Sequence, residues 1–112
     1  MTEAEFDLAW RESVAAALRM ALAETGMSRR ALARASGESE RNLARYFDDT
    51  ATDFREIPLL KLFGLAPFLD TTPDQVIGMA RAVFEKRSGM SWGEHALAAK
   101  KGVPEPPESD SK

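Results

Sequence analysis

Cysteine is absent from the 112-residue chain, which excludes a disulfide framework and any thiolate metal site. Histidine occurs once, at His95, too little for a zinc site or a histidine-based catalytic dyad. The serines therefore lack His–Asp partners, and no hydrolase reading survives. No apolar run approaches the ~20 residues that span a bilayer, and the opening "MTEAEFDLAW" is acidic where a secretory leader is basic. No period-two strand pattern and no internal repeat is visible. These absences lead to the expectation of a non-enzymatic, cytoplasmic protein with no metal, no other cofactor and no membrane association.

What is present is ordinary globular composition, 44% hydrophobic and 29% charged, enough for one domain with a core. The net charge of -3 hides a pattern. Glu3, Glu5, Asp7 and Glu12 face only Arg11 at the start, and Asp48, Asp49, Asp53 and Glu56 face only Arg55 further on. Between them residues 28–46 hold five arginines against Glu38 and Glu40, a local excess of three positive charges. Residues 81–101 are basic again. Such asymmetry gives a small domain one attractive face.

Helical periodicity accounts for most of the chain. Thr2 and Glu5 form a capping box, and Phe6, Trp10, Val14, Leu18 and Leu22 recur at spacing four beside Ala17 and Ala21, predicting a helix over about 3–25 stopped by Gly26. Ser28 caps a second helix, about 29–36, with Leu32 and Ala33 inward and Gly37 closing it. Ser39 caps a third, about 40–47, with Leu43, Tyr46 and Phe47 inward. After a polar loop, Pro58 suits the first turn of a fourth helix to about Leu69, with Pro67 loosening its end. Thr72-Pro73-Asp74-Gln75 starts a fifth, about 73–88, burying Val76, Ile77, Ala80, Val83 and Phe84. Ser91 with Glu94 suggests a short sixth helix through Lys101. Residues 103–112, with three prolines and no core-forming run, are expected to be disordered. The division is thus 1–89 as the domain, 90–102 as a C-terminal helix or extension, and 103–112 as a tail. The fold class is all-α.

The stretch "RRALARASGESERNLARYF" joins two short helices through Gly37, the second opening on a serine cap. It resembles the helix-turn-helix of the phage repressor and Cro type, often called Xre-like, over about Val14 to Ala80. Leu32-Ala33 matches the family's Leu-Ala pair, Gly37 its turn glycine, and Leu43 and Tyr46 its two buried positions on the second helix. "LAPFLDTTPDQVIGMA" is similar to its closing helix, turn and helix. Arg29 stands where the family usually has a glutamine that touches the DNA backbone, and Ser36 and Glu38 replace two apolar residues. The resemblance implies a five-helix repressor-like bundle whose second motif helix enters the major groove of duplex DNA.

Carried onto this chain, that role gives Ser39, Glu40, Arg41, Asn42 and Arg45 as base-reading candidates. Arg41 and Arg45, four apart, share a helix face, and each could contact guanine N7 and O6. Glu40 could accept from cytosine N4, and Asn42 could read adenine. Arg29, Arg30 and Arg34 are phosphate candidates, the first two at a helix start whose free N–H groups favour an anion. About five neutralised phosphates would give a salt slope of roughly -4 to -5.

Simpler readings stand beside these. Exposed arginines are commonly just solvated, and Arg41 and Arg45 could pair with carboxylates instead. Trp10, Tyr46 and Phe47 read as core, Met20, Met27 and Met79 as gap-fillers, and His95 as a surface residue. Trp92, Ala96 and Ala99 could pack on the domain, form a homodimer contact or bind a protein. The leading expectation is a sequence-specific double-stranded DNA-binding transcriptional regulator. The alternative is a protein-binding antitoxin or inhibitor on the same fold.

Overall fold

The computed structural model describes residues 2–89 together with Ser91 and Gly93. These form an all-α bundle: α1 (Glu3–Thr25), α2 (Arg29–Ser36), α3 (Glu40–Phe47), α4 (Leu59–Leu65) and α5 (Pro73–Ser88), with a short 3-10 helix (Ala66–Leu69) between the last two. No strand occurs among the described residues. The sixth helix expected near Ser91, the tail at 103–112, and Trp92, His95, Ala96 and Ala99 lie outside them.

The caps read from the sequence are made. The Glu5 amide donates to Thr2 Oγ1 at 3.1 Å, and the Thr2 amide donates back to Glu5 Oε1 at 2.8 Å. Thr72 and Gln75 close the same reciprocal box at the start of α5. Each satisfies two amides that a helix start otherwise leaves unpaired.

The α4 region departs in detail from expectation. Pro58 lies one position before the helix rather than within its first turn. The helix itself stops at Leu65 and tightens into the 3-10 segment that contains Pro67. A proline has no N–H for the α-helical ladder, so continuation to Leu69 in one α-helix is excluded there. Asp70 ends the segment at φ 54°, a left-handed conformation that aspartate tolerates better than most residues.

The core lies where α1 packs against α5, α3 and the 3-10 segment. Residues 13–18 of α1 are buried all round, and Ala15, Ala16 and Ala17 let neighbours approach its backbone closely. Ser13, the one buried polar residue among those described, donates to the Ala9 carbonyl at 2.8 Å and so carries no unmet donor inward. α5 runs along α1, with the Phe84 ring centroid 5.2 Å from that of Phe6 at a 59° tilt and edge-on to Trp10 at 6.5 Å. Leu18, Leu32, Leu43, Phe47, Leu62, Leu65 and Val76 fill the interior beneath α2 and α3. Trp10, Met27, Ile77 and Met79 are partly buried and pack against the core, and Trp10 Nε1 also donates to Glu56 at 3.1 Å. Met20, expected as a gap-filler, is exposed, and Ile77 and Val83, expected to be buried, are half-buried.

Candidate nucleic-acid interface

The geometry of α2 and α3 follows from three local devices. Ser28 Oγ accepts from the Ala31 amide and Ser39 Oγ from the Asn42 amide, each at 3.0 Å, so both helices begin on a serine. Gly37 turns the chain between them at φ 82°, where any side chain would strain the backbone. Leu32 and Ala33 on α2 and Leu43, Tyr46 and Phe47 on α3 then seat both helices on the core.

The C-terminal end of α3 is tied down from two sides. Arg19 on α1 donates from Nη1 to the Phe47 carbonyl at 2.6 Å, and the Arg55 amide donates to the Arg45 carbonyl at 3.1 Å. Both satisfy carbonyls that the helix itself leaves open, and a cation suits the negative end of the helix dipole. Arg19 was not among the sequence candidates, since nothing in its helical spacing shows which distant carbonyl it meets.

With α3 seated this way, Glu40 and Arg41 are exposed, Ser39 is committed to the cap, and Asn42 and Arg45 are half-buried. Arg29 and Arg30 are exposed at the start of α2, and Arg34 is exposed in its last turn, at the far end from them. Arg29, Arg34 and Arg41 hold no ion pair among the described residues. Arg30 does: its Nε lies 3.3 Å from Glu40, joining a phosphate candidate to a base-reading candidate. Both side chains are well exposed, so the pair contributes little to stability.

Asn42 and Arg45 belong to a connected polar network. Lys61 on α4 donates to Glu38 Oε2, and Asn42 Nδ2 donates to Glu38 Oε1 at 3.2 Å. Arg45 Nη1 donates to Asn42 Oδ1 at 3.2 Å, and Arg45 Nε donates to Asp53 Oδ2 at 3.0 Å. The Lys61 ammonium, then Asn42, hold the Glu38 carboxyl below its ordinary range, and Glu38 in turn raises Lys61. The Arg45 guanidinium lowers Asp53 likewise. Asn42 thus spends one N–H and one lone pair of its amide within the protein, on Glu38 and Arg45.

An open groove separates α1 from the start of α2, lined by Arg19, Met27, Ser28, Arg29, Asp48 and Asp49 among others. Asp48 is lowered by the Thr50 hydroxyl and amide, so the groove keeps negative charge beside Arg29. Of the five arginines in residues 28–46, Glu40 meets Arg30 and Asp53 meets Arg45, while Glu38 pairs with Lys61 and Asp49 with Arg19 outside that stretch.

Sequence reasoning also missed an apolar surface on α4, where Leu59, Leu60 and Phe63 are 65%, 84% and 57% exposed. No family model, no curated protein and no solved structure matches the chain.

Proposed function

We propose that this chain is a sequence-specific duplex-DNA-binding transcriptional regulator of the phage repressor and Cro type, a cytoplasmic binding protein and not an enzyme. The observation that carries the reading is α3: Leu43, Tyr46 and Phe47 are buried while Glu40 and Arg41 are exposed, and Glu40 at the start of α3 lies 3.3 Å from Arg30 at the exposed start of α2. An eight-residue helix seated this way offers an edge that the major groove admits. Arg41 and Arg45 then read guanine, and Arg29 sits on the phosphate backbone with the α2 amides. Selection from a random duplex pool at near-physiological salt tests the reading. An enriched palindrome fits a homodimer on two half-sites, an enriched single site fits a monomer, and absence of enrichment refutes the proposal.

A second reading, a protein-binding inhibitor or antitoxin, is favoured by the exposed Leu59, Leu60 and Phe63 and by the carboxylates that meet Arg30 and Arg45. Charge reversal separates the two. Arg41→Glu with Arg45→Glu abolishes activity in a DNA reader and spares it in a protein binder acting through other segments. Deleting residues 90–112, which contain Trp92, Ala96 and Ala99, does the opposite for a protein binder that acts through that segment.

A further inference from the structure

Arg45 is the one cation on α3 whose guanidinium is fixed from two directions. Its side chain is 23% exposed, its Nε is held by Asp53 at 3.0 Å and its Nη1 by Asn42 at 3.2 Å. Arg41, one turn earlier, has no such support. Two of the five guanidinium N–H donors of Arg45 are therefore committed. Three remain, enough for the two parallel bonds that guanine N7 and O6 accept.

The supports of Arg45 come from four parts of the chain, Glu38 lying in the turn before α3. Asp53 lies in the loop after α3, Asn42 on α3 itself, and Asn42 is held in its turn by Glu38, which Lys61 on α4 anchors. A long side chain that would otherwise sample many rotamers is thus ordered before any ligand arrives. Ordering in advance removes an entropy cost from binding and narrows the set of geometries that can be met. The exposed Arg30–Glu40 pair has neither the burial nor a second tether, so it aims nothing.

We propose that Asp53 is a positioning residue for base recognition: through the Asp53–Arg45–Asn42 contacts, a residue in the loop beyond α3 sets the preference for guanine at one position of the bound site. This rests on the DNA-binding reading above. Asn42 then acts as a strut and reads no base. Lys61 and Glu38 extend the same support to α4.

The test is selection from a random duplex pool with the full chain and with Arg45→Ala, Asp53→Ala and Asp53→Asn, alongside thermal melting of each. Arg45→Ala identifies the position at which guanine is lost. Asp53→Ala should lower guanine preference at that same position by about tenfold, the scale of one good bidentate contact, and leave the other positions unchanged. Asp53→Asn keeps an acceptor facing Nε and should retain most of the preference. A structural role alone would weaken every position together, following the loss in melting temperature. The proposal is overturned if Asp53→Ala leaves the profile as it was, or if it tightens binding to all duplexes alike, which would make Asp53 a neutralising charge. An unaltered chain that enriches no sequence defeats the DNA-binding reading itself, an outcome distinct from an enriched site that ignores Asp53.

Discussion

Salt dependence gives the sharpest check on how much of the arginine-rich face is free to meet a polyanion. Each phosphate neutralised steepens the plot of log affinity against log salt by about 0.9. Counting all five arginines of residues 28–46 gives about -4.5, close to the slope read from the sequence. The structure revises that count. Glu40 lies 3.3 Å from Arg30 and Asp53 lies 3.0 Å from Arg45, so each pair carries no net charge with which to displace a counterion. Arg29, Arg34 and Arg41 remain, giving about -2.7 per protomer. Between about 50 and about 200 mM salt, affinity should fall about 40-fold rather than about 500-fold. Glu40→Gln frees Arg30 and should steepen the slope to about -3.6, a fall of about 150-fold over the same range. Fluorescence anisotropy with a labelled mixed-sequence duplex measures this directly. A slope of about -4.5 in the unaltered chain, or one that Glu40→Gln does not move, refutes the argument that paired arginines are withheld. A flat plot removes the duplex as a ligand.

Other expectations concern the frame that presents this face. Gly37→Ala meets no atom within 4 Å but must hold φ 82°, so it should cost about 1–2 kcal/mol from backbone strain alone, lowering the melting temperature by several degrees. Gly37→Asn should cost less, and equal losses would contradict a conformational cause. Phe84, 1% exposed between Phe6, Trp10 and α1, should cost about 3–5 kcal/mol as Phe84→Ala in chemical denaturation; a loss below about 1 kcal/mol would show that α5 does not anchor the bundle. The lowered carboxyls set an acid limit. Glu38 and Asp53 titrate below their ordinary values of 4.5 and 3.8, so their contribution is complete above those values and is lost as pH falls through the folded-state values. Melting curves across acid pH should therefore fall less steeply for Glu38→Gln than for the unaltered chain, and parallel curves would contradict the linkage.

Much of the fold was legible because it depends on near neighbours in the chain. The bounds of α1, α2 and α5 and the start of α3 follow from caps and stops within four residues of each end: Thr2 with Glu5, Ser28, Ser39, Thr72 with Gln75, and glycines at 26, 37 and 89. Apolar spacing then told which face of each helix turns inward, and Leu32, Leu43, Phe47, Val76 and Phe84 are buried accordingly. Met20 is exposed against expectation because periodicity reports direction around the helix axis, not whether another element covers that direction at that height.

The candidate site divides along the same line. Which residues lie on α3, and that Arg41 and Arg45 share a face, is settled by composition and helical spacing alone. Which arginines are free is a matter of tertiary structure. The loop 48–56 brings Asp53 to Arg45, α4 brings Lys61 to Glu38, and α1 brings Arg19 to the last carbonyl of α3. These partners are 8, 23 and 28 residues apart in the chain. Local sequence determines where helices start, stop and point, because those energies act over one turn. The charge state of a surface depends on distances in space, and only the closed bundle fixes them.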